Sequence, residues 1–416
     1  MFSISEYNIH NYSLLFARRS TYTVSVGHAT SEIASASAAA RASALAGLAA
    51  LAVAMGIGRF AFTPILPMMQ EDFGLSVSEG GWLATANYIG YLAGALSAIA
   101  MRIRPGVAIR AGLLVISLST LAMGLEHRFA LWAVLRAAAG IASAWVLIFV
   151  SAWALERLAL LGRAGLSGTV YSGVGAGIVA AGGACLVIMS LHGGSADAWL
   201  ALGALSIAVT VAIWSLIKAG HSSPATSTPA PSDLWSAEFR RLVLCYGAYG
   251  FGYIIPATFL PVMAKEVIGD PQLFGWAWPV FGAAGAVSTV FAAHLKRFLS
   301  YRAAWIGSHL VMALGVVIPL VVPGLAGIMI AALLVGATFV VVTLAGMEEA
   351  RRVAGPHARA LMAAMTSAFA LGQILGPVIV SLLVQSTGGF APALILAAAM
   401  LALSAFSLQR KETVRE

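Results

Sequence analysis

Arg59 has the most informative chemistry in this sequence, because it is a charged residue inside a long apolar run. A guanidinium in a hydrophobic helix costs at least about 2.5–3.5 kcal/mol on membrane-insertion scales, so it usually faces a cavity or a partner. Its planar fork can bind a carboxylate through two parallel hydrogen bonds. The alternative is a structural arginine that holds the backbone carbonyls of a neighbouring broken helix. We expect Arg59 to bind an anionic or polar group of a small molecule.

Four further polar residues in apolar runs are candidates for the same site. They are Tyr253, Arg136, Tyr249 and Asn87. A binding role and a structural role are both open for Arg136. Tyr249 and Asn87 fit packing or interface roles as well as contact with a ligand.

Glycine and proline residues interrupt two of the apolar runs at matching places. They are Gly56, Gly58, Pro64 and Pro67 in the first run, and Gly250, Gly252, Pro256 and Pro261 in the second. Paired interruptions in two halves of a membrane protein indicate a central binding site between them. Because both residue types are common in membrane helices, ordinary packing is the alternative. We expect both helices to be interrupted near these positions.

Acidic residues are absent from the middle of the apolar runs, so the sequence shows no buried carboxylate relay for protons. Glu348 and Glu349 lie close to Arg351 and Arg352 near the end of one run. Glu348, Glu349 and Arg351 are candidates for a cytoplasmic gate, and solvated helix-end charges are the alternative. If the protein couples to protons, Glu348 or Glu349 is the first candidate.

The composition indicates a membrane protein. Hydrophobic residues make up 60% of the 416 residues and charged residues 10%, against about 25% charged in soluble domains. Basic residues fall in short clusters between apolar runs, unlike the single basic face of a nucleic-acid-binding protein. The segment from Gly56 to Ala61 matches a dinucleotide-binding string but lacks a preceding strand. With no P-loop and only two cysteines, the sequence predicts no enzyme, no metal site and no cofactor.

The chain contains twelve apolar runs. The length of each is close to the 20 or so residues that a transmembrane helix needs. We therefore predict an all-α polytopic membrane protein. The predicted parts are a disordered cytoplasmic tail (1–42), a six-helix bundle (43–217), a cytoplasmic linker (218–240), a second six-helix bundle (241–409) and a cytoplasmic tail (410–416). Twenty of the 24 Lys and Arg residues fall on the side of the termini. By the positive-inside rule, both termini are expected in the cytoplasm, with the helices in a bacterial inner membrane.

An internal repeat relates the two bundles at an offset of 194 residues. Gly56, Gly58, Leu66, Pro67 and Met69 recur as Gly250, Gly252, Leu260, Pro261 and Met263. At the same offset Trp82 recurs as Trp276, and Tyr253 takes the position of Arg59. Two parallel six-helix repeats are typical of transporters in which one bundle rocks against the other.

The sequence resembles the major facilitator superfamily from about residue 43 to 409. Arg136 and Gly140 in helix 4 are similar to its RxxxG element, and GQILGP from Gly372 in helix 11 is another familiar pattern. The segments GIGRFAFTPILPMMQ, GWLATANYIGYLAGAL and YGAYGFGYIIPATFLPVMA resemble the YbfB/YjiJ-type branch. The resemblance implies twelve helices in two bundles, alternating access and a cavity lined by helices 1, 4, 7 and 10.

Pairs of small residues four positions apart predict close helix contacts, because they let backbones approach. The pairs are Gly90 with Gly94, Gly173 with Gly177, and Gly372 with Gly376. In the superfamily, helices 2, 5 and 11, which carry these pairs, form the seam between the bundles. Gln373 is expected to link helices rather than to bind a ligand.

The predicted function is secondary active transport of a small anionic or polar molecule by alternating access. Efflux is only slightly favoured, because Ile178 replaces the proline of the antiporter pattern in helix 5. The expected partners are this substrate, the lipid bilayer and a proton as the candidate coupling ion, with no nucleic acid. We expect a monomer. The alternative is a membrane sensor or channel-like protein with the same fold and no coupled transport.

Overall fold

The computed structural model describes residues 35–217, 236–267, 271–295, 298–387 and 389–409. Side chains at a few positions within these ranges, chiefly 258–275, are outside the description, and the side chain of Pro261 is among them. The predicted tails before residue 35 and from residue 410 also lie outside it, as do linker residues 218–235.

The described residues are almost all helical, and none of them forms a strand. The helices are α1 (Ser35–Phe73), α2 (Val77–Ala100), α3 (Pro105–Leu125), α4 (Phe129–Leu160), α5 (Ser167–Ser190), α6 (Ser195–Ile213), α7 (Ala237–Val267), α8 (Pro271–Leu295), α9 (Tyr301–Val321), α10 (Gly324–Ala354), α11 (Ala358–Thr387) and α12 (Ala391–Gln409).

Nine segments of the described residues are long and apolar enough to cross a membrane. One of them, Gly324–Val380, contains α10 and most of α11. Large apolar side chains such as Leu244, Phe291 and Leu403 are exposed on the outside of the molecule. Such a surface is costly in water, but it is the normal surface of a protein that faces lipid.

Helix α1 is interrupted as predicted. Its described part starts at Ser35, so residues 35–42, which were predicted to be part of the disordered tail, are helical. The segment Ala52–Phe60 is π-helical, and regular α-helix resumes at Phe62. Pro64 falls in the first turn after this break, where a missing backbone N–H costs little.

Helix α7 is continuous from Ala237 to Val267, so the expected interruption near Gly250, Gly252, Pro256 and Pro261 is wrong. Membrane helices accommodate proline when neighbouring helices supply compensating contacts. Gly250 packs against the backbone of Phe369 in α11, and Gly252 lies under Leu401 of α12. This close packing supports a continuous helix through the glycines.

The same pattern of helix pairs occurs in α1–α6 and in α7–α12. In the first set α1 packs on α5, α2 on α4 and α3 on α6. In the second set α7 packs on α11, α8 on α10 and α9 on α12. The most extensive contacts between the sets join α5 to α8 and α2 to α11.

The expected glycine pairs make close contacts inside each set. Gly90 and Gly94 of α2 lie against the backbone of α4, Gly173 and Gly177 of α5 against α1, and Gly372 and Gly376 of α11 against α7. The contact of α5 with α8 instead uses Gly175, which lies against the backbone of Gly282 and Ala286. Helices α2, α5 and α11 therefore contact the other helix set, but their glycine pairs pack within their own sets, and a different face of α5 contacts α8.

Candidate functional site

The π-helical segment of α1 is held in place by two side chains of α4. The hydroxyl of Ser143 donates to the carbonyl of Ala54 at 2.7 Å. Arg136 donates from Nη1 to the carbonyl of Gly58 at 3.3 Å and, more weakly, from Nη2 to the carbonyl of Arg59 at 3.5 Å. A π-helix disturbs the i→i−4 bonding of an α-helix, and these donors satisfy carbonyls within the altered segment.

Arg136 therefore binds the backbone carbonyls of a neighbouring interrupted helix. This is the structural role that the sequence left open as the alternative for Arg59. Its guanidinium also lies 4.4 Å from the ring centre of Phe62. The amide of Asn87, on α2, donates to the carbonyl of Arg136 at 2.9 Å and so joins α2 to α4. A cavity about the size of one water molecule lies beside Arg136, with Gly58 and Trp199 in its lining.

Arg59 has quite different surroundings. Only 4% of the residue is exposed, and the guanidinium carbon lies 4.0 Å from the ring centre of Tyr91. The rings of Tyr88 and Phe369 are 5.7 and 5.8 Å away. Nη2 donates a short hydrogen bond to Oε1 of Gln373. Arg59 therefore reaches from α1 to the place where α2 meets α11.

Several polar atoms around Arg59 have no hydrogen-bond partner. They are Nε and Nη1 of Arg59, Nε2 of Gln373 and the hydroxyls of Tyr91 and Tyr253. Buried polar groups are nearly always paired in native proteins, so a group of unpaired ones requires an explanation. All five atoms can donate a hydrogen bond. They are therefore suited to a ligand that accepts hydrogen bonds.

Ring contacts among five aromatic side chains complete these surroundings. Tyr253 stacks on Phe339 with ring centres 5.3 Å apart and on Phe369 at 6.4 Å. Phe60 lies 6.1 Å from Phe339 and 6.4 Å from Trp278. We call Arg59, Phe60, Tyr91, Tyr253, Trp278, Phe339, Phe369 and Gln373 the Arg59 cluster. It brings together α1, α2, α7, α8, α10 and α11.

Tyr249 lies next to this cluster, but its hydroxyl is already paired. It donates to the carbonyl of Phe339 at 2.7 Å and is 3.3 Å from Oγ1 of Thr343. The residue therefore joins α7 to α10. Tyr253, one helical turn away, is the tyrosine of this pair whose hydroxyl is unpaired.

A group of charged side chains lies at one end of the second helix set. Glu348 pairs with Arg351 at 3.1 Å, and Glu349 pairs with Arg352 at 2.8 Å and with Arg302 at 3.3 Å. Both glutamates are buried, with 3% and 2% exposed. The alternative of solvated helix-end charges is therefore wrong for these two residues. Their role as a gate stays a prediction.

This charged group includes residues that sequence reasoning missed. Glu238 of α7 pairs with Arg241 and with Arg302 of α9. The i,i+3 spacing of Glu238 and Arg241 was visible in the sequence, but their pairing with α9 was not. Close by, the hydroxyls of Ser167 in α5 and Tyr301 in α9 lie 3.0 Å apart and connect the two helix sets.

Nothing in the sequence singled out Phe339, Phe369 and Trp278 either. Phe339 and Phe369 are each the single aromatic residue of a helix rich in aliphatic ones, Trp278 is one of several aromatic residues in α8, and all three are far from Arg59 along the chain. The one available signal was the superfamily resemblance, which implies that helix 10, the helix of Phe339, lines a cavity.

No curated protein matches the chain. A family model described as an uncharacterised MFS-type transporter, YbfB, matches residues 51–409. This range contains the π-helical segment, the Arg59 cluster and the charged group. The chain therefore belongs to the major facilitator superfamily, in the YbfB family of multi-pass membrane transporters.

Proposed function

We propose that the protein is a secondary active transporter that moves a small anionic or polar molecule by alternating access. Membership of a transporter family supports transport rather than catalysis. In this proposal helices α1–α12 each cross the membrane and form two six-helix bundles. The matching helix pairs in the two sets support this arrangement.

The observation that carries the proposal is the state of Arg59. Its charge is buried, none of the described contacts of its guanidinium is with an acidic side chain, and two of its nitrogens are unpaired. Burying an unpaired charge is costly enough that a protein retains one only when something compensates. An anion that binds during transport compensates this cost and gives the residue a function.

The position of the Arg59 cluster also supports alternating access. The cluster takes residues from both helix sets, since Arg59 and Tyr91 come from the first and Tyr253 and Gln373 from the second. A ligand there contacts both sets at once. Rocking one set against the other around such a ligand exposes it first to one side of the membrane and then to the other.

The orientation and energetics are part of the proposal. Both termini face the cytoplasm of a bacterial inner membrane, efflux is slightly favoured, and the protein works as a monomer. A proton is the candidate coupling ion, with Glu348 and Glu349 as candidate sites. A cysteine placed at Thr228, in the linker outside the described residues, should react only with reagents that reach the cytoplasm. Labelling from the periplasm in intact cells would contradict this orientation.

The decisive experiment compares wild-type protein with Arg59→Ala in lipid nanodiscs against a panel of organic and inorganic anions. A ligand that binds the folded state raises its melting temperature, so an active anion should stabilise the wild type and not the variant. Arg110→Ala is the matched control, since Arg110 also lies over an aromatic ring, at 5.0 Å from Trp214, and donates to a backbone carbonyl. It lies outside the Arg59 cluster and should leave the response intact.

The alternative function is a sensor or channel-like protein. The substrate found by the panel should move across liposomes at a saturable rate and exchange with unlabelled substrate. Ion currents of channel size across a planar bilayer would contradict the transporter proposal. Binding that depends on Arg59 without any movement across the membrane would favour the sensor.

A further inference from the structure

Building on the transport function proposed above, we infer that the substrate is a monocarboxylate with a flat aromatic body. Its carboxylate replaces Gln373 on Arg59, and its ring lies among the aromatic side chains of the Arg59 cluster. Three properties of the cluster carry this inference: the hydrogen bond that Gln373 occupies, the single positive charge and the aromatic surroundings.

The geometry of Arg59 makes Gln373 a competitor of the substrate. A guanidinium binds a carboxylate through two parallel bonds, either from Nε and Nη2 or from Nη1 and Nη2. Nη2 carries two N–H hydrogens, each arrangement uses one of them, and Oε1 of Gln373 accepts one of the two in this structure. The other nitrogen of each arrangement, Nε or Nη1, is unpaired. On the side that Gln373 occupies, a carboxylate therefore gains a bidentate contact only when the oxygen of Gln373 leaves Nη2.

The number of cations that contact the cluster limits the substrate to one negative charge. Among the described residues, Arg59 is the cation that contacts the rings of the cluster, and Gln373 and Tyr253 are neutral. Arg136, the nearest arginine on α4, is engaged with the carbonyls of α1 and with the ring of Phe62. A phosphate or a dicarboxylate would bring a second charge into apolar surroundings without a partner, which is strongly unfavourable.

The aromatic side chains of the cluster favour a flat aromatic body. The rings of Phe339, Phe369, Tyr91, Phe60 and Trp278 come from five different helices, and offset-stacked or edge-to-face contacts between rings stabilise beyond the area they bury. A sugar would need many hydrogen-bond partners. Besides Arg59 and Gln373, the unpaired groups of the described cluster are the hydroxyls of Tyr91 and Tyr253 and the indole N–H of Trp278.

Replacement of Gln373 also connects binding to movement. The bond between Arg59 and Gln373 joins α1 of the first set to α11 of the second. A substrate that takes over Arg59 removes this bond and gives Gln373 a new acceptor for its unpaired Nε2. Binding thus exchanges a contact between the helix sets for contacts made by the substrate.

The first experiment measures binding of benzoate to the full-length protein in nanodiscs by calorimetry and thermal shift. Cyclohexanecarboxylate tests flatness, because it keeps the charge and approximate size of benzoate. Succinate and inorganic phosphate test the limit of one charge. We expect benzoate to bind at least about tenfold more tightly than each of the three, since each loses ring contacts or adds an unpaired charge. Equal or tighter binding of any of them overturns the inferred class.

The second experiment tests the competition at Arg59 with two variants of Gln373. Gln373→Glu places a carboxylate of the protein on Arg59, so benzoate binding should weaken by at least about tenfold. Gln373→Met removes the competing oxygen at similar length, so benzoate binding should strengthen by about threefold. Weaker binding to Gln373→Met, or unchanged binding to Gln373→Glu, overturns the replacement of Gln373. Gel filtration shows which variants are folded, and either one is sufficient for the test.

The outcomes separate this inference from the function on which it rests. If phosphate or succinate binds in place of benzoate and Arg59→Ala abolishes that binding, the transporter of an anion stands and the aromatic monocarboxylate fails. If no anion in the panel binds in a way that depends on Arg59, the proposed function fails as well.

Discussion

Helices α1 and α7 are equivalent in the internal repeat, yet they differ where the site is built. Arg59 in α1 lies within a π-helical segment, and Tyr253, its counterpart in α7, lies in a continuous α-helix. One helix supplies a buried cation, and the other supplies an aromatic ring with an unpaired hydroxyl. The duplicated halves thus share a scaffold and differ in chemistry.

The partner helices explain this difference. Gly140 of α4 packs on the backbone of Asn87, and Gly336 of α10 packs in the same way on the backbone of Phe281. This contact aligns α4 with α10 and places Ala332 and Phe339 at the positions of Arg136 and Ser143. Helix α10 therefore lacks both side chains that hold the altered carbonyls of α1. Without such donors, a regular helix is the favourable structure for α7.

In the second half, Phe339 takes the position of Ser143 and makes different contacts. Where Ser143 holds a carbonyl of α1, Phe339 stacks on Tyr253 and contacts Phe60 across the two sets. One half therefore supplies the charge and the support that places it, and the other supplies most of the aromatic wall. A substrate with a charged end and an apolar end fits this division.

The largest effect should separate the two equivalent positions. Arg59→Ala removes a charge-assisted bidentate contact, so we expect anion binding to weaken by about 100-fold or more and transport to stop. Arg59→Lys keeps the charge without the planar fork and should be intermediate. Tyr253→Phe removes one hydroxyl and should weaken binding by about threefold or less. Calorimetry on the three purified variants measures the order.

Equal losses of anion affinity in Arg59→Ala and Tyr253→Phe would contradict the conclusion that one half supplies the charge and the other supplies the aromatic rings. Arg110→Ala provides the control, because it removes an arginine that lies over Trp214 outside the cluster.

The next effect concerns the shared scaffold, and here the halves should behave alike. A methyl group at Gly56 would meet the backbone of Gly177, and one at Gly250 would meet the backbone of Phe369. Gly56→Ala and Gly250→Ala should each destabilise the protein by about 2 kcal/mol, because backbone cannot move aside as a flexible side chain can. Thermal unfolding should show a loss of several degrees for each.

Gly183→Ala is the matched control for this pair, since nothing lies within 4 Å of a methyl group there. It should leave the melting temperature unchanged or raise it slightly, because alanine is the better helix former. A stable Gly250→Ala beside an unstable Gly56→Ala would show that the two halves do not share the same close packing.

The third effect tests the support of the π-helical segment. Arg136→Met should weaken anion binding by about tenfold, because the carbonyls of Gly58 and Arg59 lose the donors that orient them. Its effect on stability should be smaller, since removal of a buried charge offsets the lost hydrogen bonds. Arg136→Lys keeps one donor and should restore part of the affinity. Unchanged affinity in Arg136→Met would mean that the support does not position Arg59.

Much of the scaffold could be predicted from the sequence, and much less of the site. Hydropathy located the helices, and the cost of a charge in an apolar run singled out Arg59. That cost does not name the compensating group, because Gln373 lies 314 residues further along the chain. The sequence also did not show which of the two arginines, Arg59 or Arg136, would bind the free carbonyls of the interrupted helix. The packing of α4 on α1 determines that Arg136 does so.

The smallest effect tests the outer surface of the duplicated helices. Trp82 of α2 and Trp276 of α8 are equivalent in the repeat, and 64% and 61% of these residues are exposed. If both face lipid at the same depth, brominated lipids should quench the two indoles equally. Trp82→Phe and Trp276→Phe should therefore each remove a similar share of the quenchable fluorescence. Each should change stability by about 0.5 kcal/mol or less, as is usual for exposed positions.

Trp132, only 2% exposed, provides the contrast, because Trp132→Phe should leave the quenchable share intact. A difference between Trp82 and Trp276 would mean that α2 and α8 present different faces to the membrane, and the repeat would then extend to the helix contacts but not to the surface around them.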